Sequence, residues 1–472
     1  HIDVFHNNNV DLLIHNENIS SGNIISTNTL ENDFYLNYSQ NCTFYTKDPR
    51  LYSDYEFEYY QGPRFVQIPR QFEYMRYLNT SLSSITHPVA SDSKWKLCSG
   101  FENNYSLFKI PLHEEFKPNG KHYNTDWFNG ITRIQIDKNT DTLYCLYLRG
   151  QIATYKRTTT SWVPENVYDF RRIVDNWDES PYKCNATGLF FNDSYDKIYI
   201  VFGAYPYFGT ENKHRIIEFS IDFSSNKTIF EYISNIATDN GHTLMNGFYK
   251  DNCVYFVAGD FMNPNVDLSL PNGKIWKFNT MTETYTIVAF GSRNPYGMVK
   301  LDEEIDELER IWFCGNGNNK ARIGLFTEGD AINLNYTSLD DNTSEYSNVP
   351  DINHPRNPKP NSILKIYDID PSPNDLQVFE KNNPFYNEKY ELILNNQVFG
   401  LIAHYGRNWT NSNSQYRNAF DRTICIAKLF NLSGASPQIE LEKFIEPTTF
   451  DDEANNQPLA LCIDFNADII FS

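Results

Sequence analysis

One histidine occupies a position from which it could transfer a proton. His242 follows a polar turn and precedes two predicted strands, the second of which ends at Asp260. Imidazole gains and loses its proton near neutral pH, so a histidine in such a place can act as a general base. The alternative is that His242 hydrogen-bonds to the backbone at the mouth of a channel and has no chemical role.

The eight cysteines are spread along the chain, without a CxxC pair and without the Cys/His spacing of a zinc site. An even, dispersed set predicts four disulfides and an oxidising compartment, and it leaves the pairing open. The residues are Cys42, Cys98, Cys145, Cys184, Cys253, Cys314, Cys425 and Cys462.

Sequons of the form Asn-x-Ser/Thr indicate the same compartment. Beside the cysteines they predict a secreted, extracellular or cell-surface protein that carries N-linked glycans. The twelve sequons begin at Asn18, Asn37, Asn41, Asn79, Asn104, Asn185, Asn192, Asn226, Asn335, Asn342, Asn408 and Asn431.

Charge and hydropathy exclude two classes of partner. The formal net charge of −20 disfavours nucleic acid, because phosphate binding is driven by Lys and Arg that release counterions. We interpret the excess of acidic residues as a feature that keeps the protein soluble. No apolar run reaches the ~18 residues that a membrane-spanning helix needs, so we expect no membrane span.

The predicted strands around His242 belong to a repeat. A strand–turn–strand unit recurs after Gly130, Gly188, Gly247 and Gly297, at intervals of about 50 to 60 residues, the size of a propeller blade. Each of the first three units is followed by a third predicted strand. Together with a closing strand pair at 459–471, the repeat predicts an all-β fold, a six-bladed β-propeller.

Composition divides the chain into three regions. Residues 1–33 are polar and Asn-rich with short apolar pieces, and we expect a surface leader or an extended N-terminal arm that pairs with a sheet edge of its own or a neighbouring subunit. Residues 34–126, rich in Tyr and Phe, predict strands that lead into the propeller or close it, or a small separate β module. Residues 127–472 carry the blades.

Four segments follow one another in the order and spacing of a known family. In them the chain resembles the glucose/sorbosone dehydrogenase-like family, which includes the soluble quinoprotein glucose dehydrogenases and the propeller of the Hedgehog-interacting protein. The family fold is a six-bladed β-propeller, so the resemblance and the repeat imply the same architecture. The segments are 187–203, 241–260, 273–278 and 290–317, and the most specific piece is Ser292–Gly297.

The resemblance implies a quinone site. In the family's quinoproteins the histidine at the position of His242 takes the substrate hydroxyl proton as hydride passes to pyrroloquinoline quinone (PQQ). The residues matching Arg293 and Asn294 lie against the quinone, where a guanidinium can pair with carboxylates. Asp260 matches the aspartate that closes the strand after the histidine. Alternatively, Arg293 and Asn294 form an Asn-Pro turn that holds a blade connection, with Arg293 paired to a carboxylate such as Asp260.

The chain departs from the family where calcium would bind. Calcium-binding members continue with an acidic segment whose oxygens serve the ion. Here Lys320 and Arg322 stand where carboxylates are expected, and only the backbone carbonyls around Gly315 and Gly317 remain as metal ligands.

Two functions follow from these observations. The first is a non-catalytic, N-glycosylated extracellular propeller that acts in binding, adhesion or self-assembly into a filament or coat, with the N-terminal arm mediating self-association. The second is a PQQ- and calcium-dependent dehydrogenase that oxidises a sugar or polyol with His242 as general base. The missing acidic segment favours the first.

Overall fold

A computed structural model describes the strands and many of the turns that connect them. It describes residues 2–6, 10–15, 43–46, 72–77, 95–101, 105–110, 131–147, 150–158, 161–170, 185–203, 212–234, 244–259, 271, 273–290, 294–304, 306–316, 321–328, 363–367, 371–380, 397–406, 419–433, 436–448, 458–464 and 468–472. Within this part of the chain every regular element is a β-strand. No helix there is long and apolar enough to cross a membrane.

Six strands precede the first repeat. Three of them form a separate antiparallel sheet in the order β1-β2-β3, and the other three join sheets that are completed from the C-terminal part of the chain. They are β1 (Ile2–His6), β2 (Val10–His15), β3 (Thr43–Thr46), β4 (Phe72–Tyr77), β5 (Trp95–Leu97) and β6 (Tyr105–Ile110).

Four consecutive antiparallel sheets follow, each built from four successive strands. Sheet 1 contains β7 (Ile131–Asp137), β8 (Thr142–Tyr147), β9 (Gln151–Arg157) and β10 (Trp162–Asp169). Sheet 2 contains β11 (Asn185–Phe191), β12 (Lys197–Gly203), β13 (Asn212–Ser220) and β14 (Asn226–Ser234). Sheet 3 contains β15 (Leu244–Lys250), β16 (Cys253–Ala258), β17 (Lys274–Asn279) and β18 (Thr284–Phe290). Sheet 4 contains β19 (Asn294–Lys300), β20 (Ile311–Asn316), β21 (Ala321–Phe326) and β22 (Ile363–Ile366).

Two further sheets combine both ends of the chain. Sheet 5 contains β23 (Pro373–Val378), β24 (Val398–His404), β25 (Ile424–Phe430) and β26 (Gln438–Pro447), with β5 on its outer edge. Sheet 6 has the order β27-β28-β4-β6, where β27 (Leu461–Ile463) and β28 (Asp468–Phe471) come from the C-terminal part of the chain.

The first strands of the sheets form a closed ring. Each of β7, β11, β15, β19 and β23 contacts the first strand of the next sheet, and β27 contacts both β23 and β7. The predicted β-propeller is therefore confirmed. The predicted number of blades is corrected. The sequence predicts six blades, whereas the structure has five blades of the regular four-stranded form. Sheet 5 has five strands because β5 pairs with β26.

Local sequence explains why the strands turn where they do. Between β15 and β16 the turn residues Asp251 and Asn252 have φ of 53° and 59°. Two successive left-handed residues make the type I′ turn that suits a two-residue hairpin, and Asp and Asn tolerate that conformation well. The predicted turn at this place is confirmed.

The cores lie between neighbouring sheets. Between sheets 2 and 3, Val201 and Ile216 pack with Val254 and Phe256, and the rings of Phe230 and Phe256 lie 4.9 Å apart. Complete burial of one such side chain stabilises the fold by about 1.5–3 kcal/mol. Packing of sheet against sheet thus holds the ring together.

An ion cluster joins the first sheet to the last. Arg157 of β9 donates to Asp468 at 2.9 Å, to Asp464, and to Asp141, whose Oδ2 lies 3.0 Å from Nε. The side chains of Asp464 and Asp468 are fully buried. The guanidinium also lies over the ring of Trp162, 4.5 Å from its centroid. This cluster adds side-chain contacts to the seam where the ring closes.

The cysteines require a correction. Four disulfides are predicted, but each of the six described cysteines is a free thiol: Cys98, Cys145, Cys253, Cys314, Cys425 and Cys462. The reason is that most of them lie in different inter-sheet cores. Cys145 and Cys462 share one core and are still unbonded. Cys42 and Cys184 lie outside the described residues.

The predicted N-terminal arm differs from a single extended strand. Its described residues form the hairpin of β1 and β2, and β2 also pairs with β3, which lies beyond residue 33. None of these three strands pairs with a propeller strand among the described residues. The rest of the arm lies outside them.

Candidate functional site

The structure describes two of the six predicted site residues. Asn294 begins β19 and pairs with Asn316, and Gly315 pairs with Pro295, so the two predicted residues lie on neighbouring strands. The other four, His242, Asp260, Arg293 and Gly317, lie outside the described residues.

We call the side of the ring on which the first strand of each sheet begins the upper face, and the opposite side the lower face. The first residues of these strands are Ile131, Asn185, Leu244, Asn294, Pro373 and Leu461. Because the sheets are antiparallel, second strands end on this face and third strands begin on it. The strand ends next to His242, Asp260 and Arg293, which are Leu244, Ala258 and Asn294, all belong to the upper face. The convergence of the three residues at one mouth of the ring stays a prediction.

A bulge interrupts five of the six first strands near the upper face. Each interruption lies within the first four residues of its strand, in β7, β11, β15, β19 and β23. Bulges bend a strand and redirect its side chains, and they are common beside functional sites. The residues at which pairing resumes are Arg133, Gly188, Gly247, Gly297 and Asp375.

Two of the three glycines in that set allow neighbouring first strands to approach closely, whereas the third, Gly247, lies against the second strand of its own sheet. A Cβ on Gly188 would lie 2.9 Å from Cα of Asn246 in the next first strand, and one on Gly297 would lie 2.7 Å from the backbone nitrogen of Leu376. Such distances are shorter than real Cβ contacts. These glycines therefore set the spacing of the ring.

Arg133 takes the corresponding place in sheet 1. The first predicted unit begins at Gly130, three residues earlier, which lies outside the described residues. The sequence does carry a signal for this register, because Thr132-Arg133-Ile134 is similar to Thr187-Gly188-Leu189. In both segments a β-branched threonine precedes the residue at which pairing resumes after the bulge.

The side chain of Arg133 spans the centre of the ring. Its Nη2 donates to the carbonyl of Tyr296 at 3.2 Å, and its Nη1 donates to the carbonyls of Thr132 at 2.9 Å and Leu459 at 3.5 Å. β7 and β19 are separated by two first strands in either direction around the ring, so they face each other. Tyr296 belongs to the Ser292–Gly297 motif. One guanidinium thus connects sheets 1 and 4 with the segment that leads into sheet 6.

Asp375 and Cys314 lie close to Arg133. Asp375 is fully buried and accepts hydrogen bonds at 2.9 Å from the backbone N–H groups of Leu461 and Leu376. Burial raises the pKa of Asp375, and the charge of Arg133 and these hydrogen bonds oppose the shift. Burial also raises the pKa of the Cys314 thiol, with a further contribution from Asp375. The thiol is therefore protonated and unreactive at neutral pH.

Hydroxyl groups connect successive first strands around this centre. Thr132 donates to the carbonyl of Ala186 at 2.8 Å, and Thr187 donates to that of Leu244 at 2.7 Å. Ser472 donates to the carbonyl of Ile131 at 3.1 Å and so joins sheet 6 to sheet 1. These bonds satisfy buried carbonyls and hold the bulged strand ends in place.

A second buried polar group lies at the upper ends of sheets 4 and 5. His404, the last residue of β24, is fully buried, and its Nε2 lies 2.8 Å from the hydroxyl of Tyr367. Its ring stacks on Phe420 with centroids 5.7 Å apart. Burial lowers the pKa of His404 to about 3. The imidazole is therefore neutral and fixed in place, and the sequence pattern gave no sign of it.

The described part of the predicted calcium site does not fit the ion. Gly315 lies within the ladder between Pro295 and Arg322, and Arg322 is buried, with 2% of its surface exposed. Calcium prefers several oxygen ligands and acidic support, whereas a guanidinium on the neighbouring strand repels a cation. Among the described residues, no group of three or more His, Cys, Asp or Glu side chains could hold a metal.

Comparisons with known proteins give no family. No family model matches the chain, and no curated protein matches it. Among solved structures, one chain from a structure titled "Crystal Structure of Mitotic Checkpoint Complex" is 8% identical, with a TM-score of 0.36; the match covers 72% of this chain and 89% of that one. A TM-score this low supports no conclusion about function. The resemblance to the glucose/sorbosone dehydrogenase-like family is thus not confirmed, and the strand pairing alone identifies the chain as a β-propeller.

Proposed function

We propose that this chain is a non-catalytic binding propeller, secreted and N-glycosylated, that serves as an adhesion or self-assembling subunit. The observation that carries the proposal is the position of Arg133. Its guanidinium occupies the centre of the ring and donates to the carbonyl of Tyr296, inside the motif that would face a quinone. Hydrogen bonds between opposite first strands fill the centre of the ring and stabilise the propeller as a scaffold.

The metal chemistry supports the same choice. A quinoprotein of the related family needs a hard cation beside the quinone, and the buried Arg322 opposite Gly315 opposes one. The buried carboxylate nearest Arg133, that of Asp375, is engaged by backbone N–H groups. A role in presenting surfaces requires none of these groups to react.

Exposed sequons support glycosylation of the lower face. Asn226 begins β14 and Asn431 follows β25, and both side chains are exposed on that face. Asn192 also lies there, but its amide donates to Ser194 at 2.9 Å and to Asp196 at 2.5 Å, so its nitrogen is already engaged. Asn185 begins β11 on the upper face. We therefore assign glycans first to Asn226 and Asn431.

Free thiols are compatible with secretion here because they are protected. Cys145, Cys314, Cys425 and Cys462 are buried, and burial raises the pKa of each thiol, that of Cys425 to about 12. A buried, protonated thiol is a poor nucleophile and resists oxidation.

Self-association is assigned to the N-terminal sheet. β1 and β3 are its two edges, and an exposed strand edge can pair with another chain. A sheet this small needs packing from elsewhere to be stable. A head-to-tail contact through such an edge would extend into a filament. Deleting residues 1–33 and measuring particle mass by light scattering tests the assignment: an unchanged mass rejects it.

The catalytic question is tested by an electron-acceptor dye assay. The purified chain is supplied with PQQ, calcium and a panel of sugars and polyols, with a quinoprotein dehydrogenase as positive control. We expect no dye reduction above that of boiled protein. Turnover that needs both PQQ and calcium, and that is lost in His242→Gln, would replace the proposal with the dehydrogenase alternative.

Glycosylation is tested in secreting eukaryotic cells. We expect Asn226→Gln and Asn431→Gln each to lower the mass by one glycan, while Asn192→Gln leaves it unchanged. A wild-type mass that does not fall on peptide-N-glycosidase treatment would reject the glycoprotein assignment.

A further inference from the structure

Arg133 is a buried cation with no carboxylate partner among the described residues. Only 2% of its surface is exposed, and its hydrogen bonds go to three backbone carbonyls. Its Nε has no hydrogen-bond partner. Buried charges are normally paired, because removing a charge from water is unfavourable unless an opposite charge compensates it. Within the part of the chain that the structure describes, Arg133 therefore has no ion-pair partner, and its Nε–H is unused.

Two other arginines in the described part of the chain, Arg310 and Arg157, pair with carboxylates. Arg310 binds both carboxylate oxygens of Asp306, at 2.7 and 2.9 Å. Arg157 is surrounded by three aspartates. Unlike these two arginines, Arg133 binds only backbone carbonyls.

Asp375 does not form an ion pair with Arg133. Its two carboxylate oxygens accept from the N–H groups of Leu376 and Leu461, and it forms no ion pair with Arg133 among the described residues. Its own burial favours the neutral acid. Arg133 thus forms no ion pair among the described residues, and it has an unused N–H donor.

We infer that Arg133 binds a small monovalent anion, a halide or a small carboxylate such as formate, at the axis of the propeller. The unused Nε–H supplies a hydrogen bond and the guanidinium supplies the charge. Close packing of the first strands at Gly188 and Gly297 limits the ligand to a few atoms. The anion would neutralise the axis and stabilise the closed ring. This inference does not depend on the proposed binding function.

Thermal unfolding in different salts tests the site. Sodium chloride, bromide or formate replaces sodium gluconate, a bulky anion, at constant ionic strength. A ligand that binds only the folded protein raises the unfolding midpoint, by about 3 °C for a chain of this size at a hundredfold excess over the dissociation constant. We expect a saturable rise, and the rank of the three anions separates a halide site from a carboxylate site.

Two variants assign the effect to one arginine. Arg133→Met should abolish the anion-dependent rise, whereas Arg310→Met, which removes an arginine that already has a carboxylate, should keep it. If Arg133→Met does not fold, the wild-type protein is used to test for the anion site. We expect it to broaden the chloride-35 resonance, and we expect formate to reverse the broadening. No saturable rise and no broadening in the wild type, or an equal rise in Arg133→Met, would overturn the inference.

Discussion

Acidification from about pH 7 to about pH 5 should cost the protein about 2 kcal/mol of unfolding free energy through His404 alone. Burial lowers the pKa of this imidazole from 6.5 to about 3. Between about pH 6.5 and about pH 3, His404 binds a proton in the unfolded state but not in the folded state. Stability from this group is therefore complete above pH 6.5 and is lost as the pH falls. The full loss near pH 3 is roughly 5 kcal/mol, from about 1.4 kcal/mol for each unit.

The surroundings of His404 explain why it cannot easily gain a proton. Packing against the rings of Tyr367 and Phe420 buries the imidazole and so disfavours its charged form, and the nearby cation of Lys365 opposes a second positive charge. The hydrogen bond of its backbone N–H to the carbonyl of Thr423 fixes the end of β24. Among the described residues, no carboxylate forms an ion pair with His404 that would stabilise an imidazolium.

Urea unfolding at the two pH values measures the effect. In His404→Asn, which keeps hydrogen-bonding atoms but does not titrate, the stability difference between the two pH values should shrink by about 2 kcal/mol. Tyr367→Phe is the matched control: it loses about 1 kcal/mol at both pH values and keeps the pH dependence. If His404→Asn loses as much stability on acidification as the wild type, His404 is not a buried neutral group and the reasoning fails.

Three further predictions concern the ring. Arg157→Met should lower the unfolding free energy by about 3 kcal/mol in urea, because it removes the guanidinium that pairs with buried Asp464 and Asp468; Lys227→Met, which removes an exposed pair with Glu283, should change nothing measurable. Gly297→Ala should cost roughly 1–3 kcal/mol by thermal unfolding, because its Cβ would meet Cys314 Sγ at 2.7 Å, and wild-type stability would disprove the close approach. Thiol labelling should leave Cys145, Cys314, Cys425 and Cys462 unmodified in the native protein and modify all six described cysteines after denaturation; fewer than six would indicate a disulfide.

The sequence predicted the parts of the fold that local pattern controls. Gly188, Gly247 and Gly297, from which the repeat is predicted, lie on three consecutive first strands, where a Cβ would meet neighbouring backbone. In sheet 1 the corresponding place is taken by Arg133, which a pattern of glycines does not predict. The pairing of β4 with β28 joins residues almost four hundred positions apart in the chain, and local periodicity carries no signal for such a pair.

The candidate site was only partly accessible to the same reasoning. A motif search finds Asn294 and Gly315 but not Arg133, because the role of Arg133 depends on strands from the far side of the ring. Counting cysteines predicted disulfides, whereas the structure places most of the described ones in separate cores. His404 was missed because its burial arises from packing between β24, Tyr367 and Phe420.

The most direct test of a closed propeller axis is an experimental density map around Arg133. We predict that the guanidinium lies between the carbonyls of Tyr296 and Leu459, with its Nε directed at a small anion. A map in which Arg133 turns out to solvent and leaves an open channel beside Tyr296 would contradict it.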